Sequence, residues 1–234
     1  MEAISIRYLF KLPDNRKEII DLRLDPLTLD LLNDVPKSMP SWTNLDFHQC
    51  SNCPLKVEDS SHCPVAAHFV KLMEPFGSLL SYDTVHVDII TGQRVVSKET
   101  SAQKGVSSLM GLIMATSGCP HTAFLKPMAR FHLPFADAQE TVYRATSMYL
   151  LAQYFLQKEG KEADLEMKGL MNIYTRIQII NEAMASRLRA ISEKDVALNS
   201  LVILDAFAQT VPFVIEDSLE EIRHLFATYL ESSG

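Results

Sequence analysis

The sequence predicts an α+β protein: a small antiparallel sheet made of two N-terminal hairpins, followed by a predominantly helical C-terminal half. Two observations predict it. Before residue 100, apolar residues alternate with period two in two pairs of segments, each pair joined by turn-forming residues. From about Ser101 onward the apolar period becomes 3.6.

In the first hairpin, Ile4, Ile6, Tyr8 and Phe10 lead into the turn chemistry of Pro13-Asp14-Asn15-Arg16, and Ile20, Leu22 and Leu24 lead out. In the second, Val85, Val87 and Ile89 precede Thr91-Gly92-Gln93, with Val95 and Val96 beyond it. Between the hairpins lies a polar insert, 36–64, with four prolines, the only tryptophan and three of the four cysteines. A segment this long without periodicity needs something else to order it. A helix is expected over Val65–Leu80, with Ala66, Phe69, Leu72 and Met73 on one side and its end near Pro75–Gly77.

Farther along, Ser107–Thr116 reads as an apolar helix stopped at Ser117-Gly118, and an irregular loop follows to Pro134. Asp137 with Glu140 makes a capping box for a helix to Gly160. Leu170, Ile173, Ile177, Ile180, Met184, Leu188 and Ile191 step by three and four along the next helix. Ser192 and Asp195 open another, stopped near Pro212, and Ser218 with Glu221 opens a last one. The expected division is a hairpin region over 1–100 that carries the cysteine-bearing insert (36–64) and a helical region over 101–234, joined into one compact unit through a metal site on the cysteines.

The chain has 234 residues, 47% hydrophobic and 22% charged, enough to bury a core without cross-links. A net charge of -7 argues against nucleic acid, whose phosphates need surplus lysine and arginine. It also disfavours anionic lipid, which leaves a protein partner or a small anionic ligand. Nothing in the composition speaks to oligomeric state. The N-terminus lacks a basic segment followed by an apolar stretch, and no window reaches the roughly 18 apolar residues of a membrane span. A cytoplasmic protein is expected, where clustered thiols are metal ligands or redox groups rather than structural disulfides.

Cys50-x-x-Cys53, Cys63 and Cys119 form the most prominent constellation. The two-residue gap lets a pair of thiolates face one ion, and Cys53, Cys63 and Cys119 are each followed by proline. His48, His62 and His121 stand beside them as alternate ligands. One metal centre is therefore expected: zinc on four cysteines or on three plus a histidine, with an iron–sulfur cluster as the alternative. Against this stand four ordinary buried cysteines, or a Cys50–Cys53 redox pair.

After Cys119, a proline-rich loop concentrates His121, Lys126, Arg130 and His132 in an otherwise acidic chain. Those donors suit a carboxylate or phosphate, and the histidines suit proton transfer. The plainer reading is a solvated connector. Phosphate loops, nucleophile elbows and paired-histidine hydrolase helices are absent.

The segments Leu45–Leu55, His62-Cys-Pro64, Ser107–Gly111 and Ser117–Thr122 resemble the shared blocks of a family of uncharacterised bacterial proteins, a domain of unknown function. The resemblance implies nearly full-length coverage and transfers no activity. On the residues alone, the expected role is a metal-binding protein serving structure, sensing or protein interaction. The alternative is a metalloenzyme or iron–sulfur redox protein using the 119–132 loop.

Overall fold

The computed structural model describes residues 2–76, 78–191 and 196–231. Strands β1 (Ile4–Lys11) and β2 (Lys17–Leu24) form the first hairpin, with Ile4 opposite Leu24 and Lys11 opposite Lys17. Asn15 takes the left-handed conformation in the connecting turn (φ 65°), which asparagine tolerates. Strands β3 (Thr84–Thr91) and β4 (Val95–Ser101) form the second hairpin. β3 also pairs antiparallel with β1, giving the order β2-β1-β3-β4. The alternation works as expected. Ile6, Tyr8, Phe10, Val85, Val87 and Ile89 are buried on one face, while the Arg7–Asp21 pair (2.6 Å) sits on the other in water.

Helix α1 (Pro64–Met73) starts with proline at its first position, where the missing N–H costs nothing. Helix α2 (Ala102–Thr116) starts five residues before the expected Ser107 and lies across the buried face of the sheet. Gly105 permits that approach: a Cβ there would stand 3.0 Å from Phe10 Cε1 and 3.1 Å from Val87 Cγ2. The helix ends at Ser117, and Gly118 (φ 88°) takes the left-handed conformation that terminates it.

The stretch read as an irregular loop is partly helical. It holds a short 3-10 turn (Ala123–Leu125) and then α3 (Lys126–Arg130). Helix α4 (Ala138–Lys158) opens on the expected capping box. Glu140 N donates to Asp137 Oδ1, and Asp137 N donates to Glu140 Oε2, both at 2.9 Å. Helix α5 (Lys168–Ile191) buries Leu170, Ile173, Ile177, Ile180, Met184 and Leu188, whereas Ile191 at its end is exposed.

Helix α6 (Val196–Ile222) corrects the expected break, for it runs through both Pro212 and Ser218. Proline at 212 cannot donate to the carbonyl of Ala208 one turn back. Gln178 Nε2 of α5 donates to that carbonyl instead, at 2.8 Å, so the helix continues with the group satisfied. A 3-10 turn (Arg223–Phe226) and α7 (Ala227–Glu231) follow. Gly77, the Ser192–Asp195 cap and the side chains of Leu72, Met73 and Ser218 lie outside the described residues.

The main core is continuous across both halves of the chain, from Ile6 and Phe10 through Leu109 and Met110 to Met184 and Leu201. A second cluster, including Val142, Leu170, Tyr174 and Ala208, joins α4, α5 and α6. Among the described residues, no helix is long and apolar enough to cross a membrane.

Candidate functional site: a cavity beside the cysteine insert

The insert folds back on itself. Leu45 N donates to Ser61 O (3.0 Å), Cys63 N to Thr43 O (2.8 Å), and Asn44 bridges His62. Its carbonyls are gathered by one side chain. Arg187 of α5, 1% exposed, donates to Trp42 O (2.6 Å), Asn44 O (2.8 Å) and Leu45 O (3.0 Å). The ordering agent that the insert's composition demands is thus a guanidinium. Its only local signal was a charge one residue ahead of Leu188 on an apolar stripe.

The four cysteines are free thiols, half-buried, and Cys50, Cys63 and Cys119 pack against the main core. Cys53 N donates to Cys50 O at 3.0 Å, closing the Cys-x-x-Cys turn. Burial pushes the Cys50 thiol up to about 12, and Cys63, Cys119 and Cys53 push it the same way. The four therefore share a neighbourhood. They do not share an ion site, however: among the described residues, no group of three or more His, Cys, Asp or Glu side chains could hold a metal ion. This overturns the expected metal-binding function in both forms, zinc protein and iron–sulfur or metalloenzyme.

The neighbouring histidines are engaged elsewhere. His121 Nε2 donates to Asn52 O (2.7 Å), and His62 Nδ1 donates to Thr43 Oγ1 (3.0 Å), whose own proton goes to Pro40 O. His48, in the left-handed conformation (φ 47°), stands edge-on to Phe47.

The 119–132 loop divides among different tasks. Lys126 Nζ is tied to Thr28 O (2.8 Å) and paired with Asp30 (2.6 Å). Arg130 lies over the Phe131 ring, 5.3 Å from its centroid. Of the four candidates His121, Lys126, Arg130 and His132, it is His132 that lines a cavity. Its Nε2 is hydrogen-bonded to Tyr8 Oη at 2.5 Å, and Tyr8 Oη to Ser108 Oγ at 3.1 Å. Burial, helped by the nearby Arg144 charge, holds the His132 pKa down to about 4. At neutral pH it is an uncharged hydrogen-bonding ring and a poor general base.

The cavity has a volume of about 450 Å³ and is walled by α2, α3, α4, α5 and α6, with the edge of β4 at one side. Leu112, Met114, Met128, Ile177, Leu204 and Phe207 make its lining mainly apolar. A few polar residues line it as well: Ser108 and His132 from the Tyr8 chain, Tyr174 and Arg144. Burial pushes Tyr174 up to about 12, so it stays protonated at neutral pH. Arg144 Nη2 donates to Met128 O (2.9 Å) and Phe131 O (3.2 Å), which fixes the guanidinium in the wall. Lys98 and Lys104 stand at the exposed side of the same wall. Sequence reasoning found His132 and missed the cavity, because its walls are built from the same residue types as the core.

No curated protein and no solved structure matches this chain at a significant level. The model of one family does match, over residues 6–227: the chain belongs to the family described as a domain of unknown function, DUF6901.

Proposed function

We propose that this protein binds one small, mainly apolar molecule in the cavity between the helical layer and the β4 edge of the sheet. The observation that carries this reading is the cavity itself. It falls in the size range of small-molecule sites, roughly 300–1,000 Å³, and combines an apolar lining with a few polar residues. Binding rather than acid–base chemistry is favoured, because the one histidine on the wall is held uncharged well below neutral pH.

The test is calorimetric titration with a para-alkylbenzamide series, ethyl to hexyl. The expected result is saturable one-to-one binding of 4-butylbenzamide, weakened about tenfold or more by Gly111→Leu, which places a side chain into the α2 wall. No binding by any member of the series to the wild-type protein sinks the reading.

A further inference from the structure

Arg144 is a half-buried cation in an apolar wall, and among the described residues it has no carboxylate within ion-pair distance. Glu140, one turn earlier, lies near enough for its charge to favour the Arg144 cation, but it turns its Oε2 to the Asp137 N–H of the capping box. Only Nη2 of the guanidinium meets protein acceptors, the carbonyls of Met128 and Phe131. Its other N–H groups have no protein acceptor among the described residues. Buried charges are ordinarily paired, and a guanidinium fork matches a carboxylate with two parallel hydrogen bonds. Lys98 and Lys104 on the same wall add positive potential, whereas its one acid, Asp137, accepts the Glu140 N–H at the head of α4. This cluster stands out in a chain of net charge -7.

Resting on the cavity reading, we propose that the ligand is an amphipathic carboxylate: an acid group paired with Arg144 and an apolar body lying against Leu112, Met114, Ile177 and Leu204. The anchor is Arg144 rather than the Lys126 and Arg130 of the proline-rich loop. Lys126 is already neutralised by Asp30, and Arg130 lies on Phe131.

The experiment compares 4-butylbenzoate with 4-butylbenzamide, matched in shape and differing in charge, by calorimetry near neutral pH. Wild-type protein should bind the benzoate about tenfold or more tightly than the amide, the discrimination expected of a charge-assisted pair. Arg144→Gln should bring the benzoate-to-amide affinity ratio to about one, whatever the change in amide affinity itself, and Arg144→Lys should keep part of the preference. Lys98→Met with Lys104→Met should reduce it but leave most of it standing. Equal wild-type affinity for both probes overturns the carboxylate assignment and leaves the cavity reading intact. A preference that survives Arg144→Gln, or vanishes in the double lysine variant, moves the anion away from Arg144 and overturns it as well. Failure of both probes to bind the wild type removes the two readings together. If Arg144→Gln does not fold, the wild-type ratio and Arg144→Lys still decide.

Discussion

Arg187 carries a full charge into a place with almost no water, and three backbone carbonyls of the insert are what make that tolerable. Burial lowers its pKa, opposed by the nearby thiols of Cys63, Cys50 and Cys53. Arg187→Met would leave those carbonyls without a donor. The expected loss is about 3 kcal/mol in urea unfolding, with faster hydrogen exchange over 41–63 and unchanged exchange in β1 and β3. A uniform rise in exchange would show that the insert is not held locally by this residue. His132 offers a pH test with a definite sign. Its pKa is about 4 in the folded protein against 6.5 for the free side chain, so the unfolded chain binds more protons between those values. The stability that His132 contributes is fully present above about pH 6.5 and falls as pH drops toward 4. His132→Gln, which can keep a bond to Tyr8, should lose about 2 kcal/mol less than wild type between about pH 7 and pH 5. Identical losses would place the His132 ring in water. Neither role was legible in the chain. The composition of the insert showed that it needed an anchor, but the anchor lies on α5, far along the sequence.

At the scale of elements, local chemistry decided most outcomes. The hairpins were legible because alternation and turn residues lie within one short window, and the α4 start because both halves of its capping box are three residues apart. The course of α6 was not. Whether proline ends a helix depends on who receives the carbonyl it leaves behind, and here the recipient is Gln178 on the antiparallel neighbour α5. This makes a double-mutant prediction. Gln178→Met should cost about 1 kcal/mol in the wild-type background, since it orphans the Ala208 carbonyl. In a Pro212→Ala background the new N–H takes that carbonyl, and Gln178→Met should cost next to nothing. The coupling is read from chemical denaturation of the four proteins. Equal costs in both backgrounds would mean that Gln178 does not compensate the proline. The same dependence on distant partners hid the cavity, whose Arg144 sits between the core residues Val142 and Ala145 with no local mark of its role.

For the whole molecule, the two apolar clusters set how it comes apart. The larger contains the sheet's buried face, α1, α2 and the inner sides of α5 and α6. The smaller is centred on Leu170, Ile173, Tyr174 and Ile177 of α5, with Val142 and Ala145 of α4 and Ala208 of α6. The cavity draws its wall from both, Leu112 and Ala129 from one and Tyr174, Ile177 and Ala208 from the other, so packing between them is interrupted where the cavity lies. An interior with such a gap should open in two steps, the smaller cluster first. Leu170→Ala tests this, because Leu170 is fully buried in the smaller cluster and its truncation removes about 2–5 kcal/mol of packing. Hydrogen exchange on the variant should show α4 and the first half of α5 losing protection by about thirty-fold to a few thousand-fold, while β1, β3 and α2 stay near wild-type values. If the sheet and α4 lose protection equally, the clusters melt as one. In the two-step case, a ligand that spans the gap should restore protection to α4 before anything else. Its site would then be the joint on which the weaker layer depends.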